Sequence, residues 1–268
     1  MSRRIKYSAL PVVMQRTRSE LERVSSMSAE TEVDDVGTAC RVLGKYVCYV
    51  DPDDQSVAQN VMRDGYWEAW ITLAWLRELD VGMTVLDIGA NCGYFSLIAA
   101  DAVGPRGHVT AFEPQPRLAD WLRQSFLVNG FRNAEVRGEA ISDAAGTVPL
   151  YVVDGLIGST SLFAPEGYQT HTVEVPTITL DSLGLSPDLI KIDAEGAEEK
   201  IWHGMQATLD ANPDAVVMME VDSRRYDDPD AFFSSINDRF PLRMISFDGE
   251  IVPFRTGDDL DMLYLSNR

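Results

Sequence analysis

The chain has 268 residues, of which 45% are hydrophobic and 24% charged, the composition of a globular protein with one large domain or one domain and a small cap. Lys and Arg number 23 against 42 Asp and Glu, for a net charge of −19, and so acidic a surface argues against nucleic acid or an anionic membrane as partner. No apolar run reaches transmembrane length. Cys40, Cys48 and Cys92 are odd in number and not in metal spacing, so without a secretory leader they read as reduced thiols of a cytoplasmic protein.

In chain order, residues 1–37 are polar and charge-rich, with a helix predicted over Leu10 to Val24; the segment reads either as an unstructured tail or as a lid over a site. Ala39 to Val50 is strand-like with a turn at Gly44. Residues 1–60 are thus expected to form an N-terminal extension or cap ahead of a main domain over 61–268. Ser56 to Leu79 reads as helices, with Tyr66, Trp67, Trp70, Ile71, Ala74 and Trp75 at the spacing of a face packed on a core. Glu68 stands inside that aromatic stripe.

Thr84 to Pro114 organises the rest. An apolar strand, Thr84 to Ile88, runs into Gly89-Ala90-Asn91-Cys92-Gly93; an apolar helical run follows, then a second strand, His108 to Phe112, ending in Glu113. This is a βαβ unit with a nucleotide-type turn after its first strand. Gly89 and Gly93 allow a sharp turn and the close approach of a ligand. Glu113, 24 residues after Gly89 (113 − 89 = 24), can accept hydrogen bonds from both hydroxyls of a ribose. Asn91 stands where a dinucleotide fingerprint needs its second glycine, which favours a nucleoside without a pyrophosphate.

Beyond Glu113 the pattern predicts a helix over Pro116 to Val128, a third strand over Ala134 to Ile141, and two strands, Thr147 to Val153 and His171 to Ile178, pairing as an inserted hairpin. The small-residue loop from Gly155 to Ser161, with Ser159, Thr160 and Ser161, is either a substrate-positioning element or a connection. A fourth strand, Leu189 to Asp193, is apolar except for Lys191; a helix follows from Glu198 to about Leu209; a fifth strand, Ala215 to Val221, carries Glu220 near its end. Ser223 to Asp230 is charge-dense and expected to be solvated. A helix over Phe232 to Phe240 and two closing strands, Leu242 to Phe247 and Asp261 to Leu265, complete the chain.

Asp87-Ile-Gly-Ala-Asn-Cys-Gly-Tyr-Phe-Ser96 with Ala111-Phe-Glu-Pro-Gln-Pro116 resembles the S-adenosylmethionine site of the FkbM family of methyltransferases, and Thr179 to Leu183 with Asp188-Leu-Ile-Lys-Ile-Asp-Ala-Glu-Gly-Ala-Glu198 resembles that family's later signature. The resemblance covers about residues 60 to 222. It implies an α/β fold of class I methyltransferase type: a Rossmann-like seven-stranded sheet with helices on both faces, a small N-terminal cap and an inserted β-hairpin. It implies S-adenosylmethionine as cofactor, held by Glu68, Asp87, Gly89, Asn91, Gly93, Tyr94, Phe95, Glu113, Pro114, Glu139, Ala140 and Asp193. Glu68 matches the acid that the family often carries after a Gly-aromatic pair, within reach of the cofactor's amino group; Glu139 and Ala140 match the adenine-contacting position.

The expected reaction is O-methylation of a small-molecule hydroxyl, the family's acceptors pointing to a natural product such as a polyketide or glycoside. A neutral hydroxyl is a weak nucleophile, so a base must take its proton. Asp193 and Glu220, at adjacent strand tips, are the catalytic candidates, as positioning acid and base or as joint ligands of a cation, with no obligatory metal expected. His171 is a further base candidate and, with Ser159, Thr160 and Ser161, a substrate contact. His203 reads as a packed or surface residue, and His108 opens its strand at the wrong end for chemistry. Two other readings stay open: a binding protein with this fold and no catalysis, and a nicotinamide dehydrogenase, which the missing central glycine opposes. A homo-oligomer is compatible with the sequence.

Overall fold

The computed structural model describes residues 17–27, 29–153, 155–156, 160–162, 167, 169–255 and 261–268. In chain order the elements are α1 (Arg18–Ser26), β1 (Thr31–Val33), β2 (Thr38–Val42), β3 (Tyr46–Val50), α2 (Val57–Asp64), α3 (Ala69–Glu78), β4 (Thr84–Ile88), α4 (Tyr94–Val103), β5 (His108–Phe112), α5 (Pro116–Val128) and β6 (Ala134–Arg137). They continue with β7 (Ala140–Ile141), β8 (Gly146–Val153), β9 (Thr170–Ile178), β10 (Leu189–Ile192), α6 (Glu198–His203), α7 (Gln206–Ala211), β11 (Val216–Val221), α8 (Pro229–Asn237), β12 (Arg243–Ile245), β13 (Ile251–Pro253) and β14 (Asp261–Leu265).

The central sheet has eight strands in the order β13-β12-β14-β11-β10-β4-β5-β6. The run β11-β10-β4-β5-β6 is parallel, and β14 enters antiparallel beside β11. This order fits the seven-stranded sheet that the resemblance implies, with β13 added at one edge as the partner of β12. Both faces of the parallel strands are covered, so they read as nearly continuous apolar runs. On one face Val85, Val109, Leu189 and Met218 pack against α3, α4 and α5 through Trp75, Phe95, Ile98 and Phe126. On the other, Leu86, Ile88, Ile190, Ile192 and Met219 pack against α6 to α8 through Trp202, Leu209, Phe232 and Ile236. None of the described helices is long and apolar enough to cross a membrane.

The structure revises several expected spans. The stretch expected as one third strand splits at Gly138-Glu139: β6 ends the central sheet, and β7 turns away to pair in parallel with β9. The expected hairpin of β8 and β9 forms and, with β7, makes a separate three-stranded sheet. The helix expected from Glu198 to about Leu209 breaks at Gly204, where a Cβ would stand 2.0 Å from the carbonyl oxygen of Ser142; only glycine lets the two segments pass. Strands β1, β2 and β3 form a third sheet. It rests on α5, where the Tyr49 amide donates to Ser125 Oγ (2.9 Å) and Asn129 Nδ2 donates to the Val47 carbonyl (2.7 Å).

Candidate functional site

The register of the parallel strands builds the site. Ile88 is level with Phe112 and with Ile192, and Ile192 is level with Met219. One residue further on, Glu113, Gly89, Asp193 and Glu220 stand in a row across four adjacent strands at the carboxyl edge of the sheet, where open α/β sheets bind ligands. Three strand spacings make the row about 14 Å long. Odd-numbered Asp87, Lys191 and Asp193 share the face covered by α3 and α4, since side chains alternate along a strand. All four residues of the row line a cavity of about 670 Å³, within the range of roughly 300–1,000 Å³ typical of small-molecule sites.

The turn after β4 is held from below. The amides of Gly89 and Ala90 both donate to the Phe112 carbonyl, at 2.9 and 3.0 Å. Glu113 accepts from the Asn91 amide through Oε2 (2.7 Å) and from the Gln115 amide through Oε1 (2.9 Å), so one carboxylate ties the turn after β4 to the turn after β5. Glu113 is only 5% exposed. Burial pushes its carboxyl up to about 7, against the two amides that favour its charged form.

The two glycines need a correction. Gly89 (φ 79°) and Gly93 (φ 86°) adopt the left-handed conformation that the turn demands. The space beside them, however, is filled by the protein. A Cβ on Gly89 would stand 1.8 Å from the Asp193 carbonyl oxygen, and one on Gly93 would stand 2.0 Å from Leu122 Cδ1. Their lack of a side chain serves the packing of β4 against β10 and of the turn against α5, ahead of any ligand. Asn91 (φ 53°) is left-handed too, and its Oδ1 accepts from the Cys92 amide at 2.7 Å.

Beyond the turn, the cavity collects carboxylates. Asp193 accepts from Lys191 Nζ at 2.8 Å. Glu195 (φ 52°) is paired with Arg225 Nη1 at 2.7 Å, and its carbonyl accepts from Ser161 Oγ at 2.8 Å. Glu220 is 8% exposed and its side chain makes no hydrogen bond among the described residues; burial, then Asp193, Glu68 and Glu195, push its carboxyl well above the usual range. Glu68 sits at the start of α3 with a left-handed backbone (φ 38°), and its Oε2 is buried without a partner among the described residues. Burial and Asp193 push it up to about 7. These acids outnumber the cations that line the cavity, Lys191 and Arg225, and both cations are already paired.

Of the residues expected in the site, Glu68, Gly89, Asn91, Tyr94, Phe95, Glu113, Pro114, Glu139, Ala140, Thr160, Ser161, Asp193 and Glu220 line the cavity. Asp87 and Gly93 do not: Asp87 is buried beneath the floor, taking the Ser96 hydroxyl at 2.5 Å. His171 lies exposed at the start of β9, level with Val152, and is not among the lining residues; it shares the face of Val173 and Val175 but sits at the solvent end of the strand, short of the buried positions. Ser159 lies outside the described residues. So do residues 1–16, and none of the described residues 17–37 lines the cavity. Arg18 of α1 instead stacks over Trp70, 4.9 Å from its ring centroid. The loop expected to be solvated sends Arg225 into the cavity wall. Lys191 and Glu195 also line the cavity without having been singled out; a lysine in an otherwise apolar buried strand was the signal for the first. Among the described residues no group of three or more His, Cys, Asp or Glu side chains is arranged to hold a metal ion.

Residues 87–247 match the family described as Methyltransferase FkbM domain, more than half of the chain. A protein-L-isoaspartate O-methyltransferase of Methanothrix thermoacetophila is 38% identical over 61 residues, 23% of this chain and 29% of the relative. One of Methanococcus maripaludis is 39% identical over 59 residues, 22% of this chain and 28% of the relative. The chain thus spans less than a third of the length of these relatives. Among solved structures, Aeropyrum pernix fibrillarin with natively bound S-adenosyl-L-methionine is similar with a TM-score of 0.45, at 15% identity, covering 74% of this chain and 76% of that one. A precorrin-6y C5,15-methyltransferase from Geobacter metallireducens also scores 0.45, at 17% identity, covering 80% and 94%. With the family match running from the end of β4 through β12, the chain belongs to the FkbM family of S-adenosylmethionine-dependent methyltransferases.

Proposed function

We propose that the protein transfers the methyl group of S-adenosylmethionine to a hydroxyl of a small molecule, with a polyketide, glycoside or related natural product as the acceptor class. The observation that carries the reading is the single row Glu113–Gly89–Asp193–Glu220, which sets a ribose-type acid at one end of a cavity and, at the other, a buried acid with no ion-pair partner among the described residues.

The lining residues fit the donor. Glu113 offers its remaining lone pairs to a ribose, and Ile88, Phe112, Leu118, Ala140 and Ile141 form an apolar wall at that end. The far end presents Glu68, Asp193 and Glu220, more negative charge than Lys191 and Arg225 balance. Glu68 Oε2, buried and without a partner among the described residues, is an acceptor suited to a cationic donor. A ligand with an ammonium and a sulfonium meets that need, whereas a pyrophosphate does not. The cofactor supplies a methyl already activated for in-line displacement. The protein holds the acceptor oxygen in line and takes its proton. Glu220 suits the second task, because burial keeps its proton affinity high. Asp193, clamped by Lys191, is assigned to orientation.

The same charges bear on the acceptor. The relatives are named protein-L-isoaspartate O-methyltransferases, and an isoaspartate acceptor would bring a carboxylate. Here such an acceptor would lie beside Glu220, Glu68 and Glu195, where like charges repel. A hydroxyl acceptor meets no such barrier. The chain's net charge of −19 likewise supports a small-molecule acceptor over nucleic acid. Incubating the protein with labelled S-adenosylmethionine and an extract of the source cells tests this: label is expected in a base-stable methyl ether. Label in a base-labile methyl ester would replace the hydroxyl reading with a carboxylate one.

A further inference from the structure

Lys191 is among the largest fully buried side chains of the molecule, with 2% exposure, in the middle of a strand that is otherwise Leu, Ile and Ile. Burying an ammonium is costly unless it is well partnered, and a Met or Leu at this position would carry no such cost. The ammonium therefore has a partner that matters. Two acids lie within its reach. Asp87 is level with Lys191 across the β4–β10 pair. Yet the hydrogen bond goes to Asp193 Oδ2, at 2.8 Å, while Asp87 takes the Ser96 hydroxyl on Oδ2 and leaves Oδ1 without a partner among the described residues. A lysine present only to neutralise the buried acid would bond the buried acid. Lys191 instead reaches along its own strand to the acid at the cavity wall. The Phe95 ring, 4.8 Å from Nζ, closes off another side.

We propose that Lys191 is a positioning residue of the site: it fixes Asp193 by one oxygen, so that the other faces the cavity toward the cationic end of the cofactor. The proposal rests on the S-adenosylmethionine reading above. The charged and titratable groups around the Lys191–Asp193 pair are Asp87 from β4, Glu113 after β5, Glu220 from β11, Glu68 at the start of α3, and Glu195, paired with Arg225, and Glu198 after β10. Four of these acids line one cavity. With the ammonium in place, the cluster holds one buried positive charge against its acids. Without it, the cluster gains an uncompensated negative charge in a buried setting, and a shared proton must make it up. A cationic ligand would then have to expel that proton on binding.

The test is calorimetry of S-adenosylmethionine binding near pH 7 in buffers of different ionisation enthalpy, which counts the protons released. Lys191→Met is expected to release about one proton more per cofactor bound than the wild type, and its affinity is expected to rise more steeply with pH. Lys191→Arg, which keeps the charge, is expected to restore the wild-type proton count. S-adenosylhomocysteine, which lacks the sulfonium charge, is expected to show a smaller difference between Lys191→Met and wild type. A Lys191→Met protein that folds, binds, and releases the wild-type number of protons overturns the proposal, for a merely structural lysine would alter thermal stability and leave that count alone. Should Lys191→Met not fold, Asp193→Asn decides: a tenfold or greater loss of S-adenosylmethionine affinity is expected, and an unchanged affinity overturns the proposal. Failure of the wild type to bind either compound would instead overturn the cofactor reading.

Discussion

Glu113→Ala tests the adenosine end of the site. The side chain has two functions that this substitution removes together. It accepts from the Asn91 and Gln115 amides, at 2.7 and 2.9 Å, and it is the acid placed to receive the ribose hydroxyls. An unsatisfied buried donor costs about 1–3 kcal/mol, and loss of a charged acceptor for bound hydroxyls a similar amount. Burial offsets part of the first cost, because a carboxyl pushed up to about 7 is itself unfavourable when charged. Thermal stability near pH 8 is therefore expected to fall by about 1–2 kcal/mol, and the S-adenosylmethionine dissociation constant to rise by about 5- to 150-fold. The binding penalty is expected to shrink near pH 6, where the wild-type carboxyl of the free protein is largely protonated and must be ionised first. Glu113→Gln keeps one acceptor and is expected to fall between wild type and Ala. Calorimetry at pH 6 and pH 8 with thermal melts reads all of this. Affinity within twofold of wild type at pH 8, in a folded Glu113→Ala protein, would refute the assignment of this acid to the ribose.

The protons held by Glu68 and Glu113 give a second prediction: both are pushed up from an ordinary 4.5 to about 7, so the free protein is expected to lose stability as pH rises from about 4.5 through 7, while affinity for the cationic cofactor strengthens over the same approach to neutrality. Melting temperatures and titrations across pH 5 to 8 check the two trends, and parallel rather than opposed slopes would count against the charge argument. Gly89→Ala places a Cβ against the Asp193 carbonyl and is expected to lower stability by several kcal/mol, about 3 or more, measured by denaturant unfolding; Gly93→Ala meets the flexible end of Leu122 and is expected to be milder and partly rescued by Leu122→Ala. Glu220→Gln is expected to weaken cofactor affinity only a few-fold, about 1 kcal/mol or less, and to lose roughly two to four orders of magnitude in turnover, and wild-type turnover is expected to withstand EDTA; activity abolished by EDTA and restored by Mg²⁺ would put a cation in place of the base.

The fold was legible because its signals are local and repeated. Apolar strands from Thr84, His108, Leu189 and Ala215, each followed by a turn and a helix, determine a parallel sheet, and the ends of four strands determine the site. The breaks were not legible. Gly138-Glu139 looks like the inside of one strand, and only pairing with β9 pulls Ala140 and Ile141 into another sheet. Gly204 looks like a helical residue until Ser142 is brought against it. Glycines 89 and 93 were correctly placed in a sharp turn, but their role in packing against Asp193 and Leu122 depends on residues 104 and 29 positions away (193 − 89 = 104; 122 − 93 = 29). Arg225 read as solvated because a charged loop has no sequence mark of the acid it will meet, here Glu195. His171 falls on the same face of β9 as Val173 and Val175, and its exposed place at the strand's start, which no sequence pattern marks, keeps it off the cavity wall.

The central claim is that the row at the carboxyl edge of the sheet receives S-adenosylmethionine. Calorimetric titration of the protein with S-adenosylmethionine, and separately with NAD, tests it most directly. Saturable binding of S-adenosylmethionine, weakened by Glu113→Ala, with no binding of NAD, is the predicted result; binding of NAD, or of neither compound by a folded protein, would contradict it.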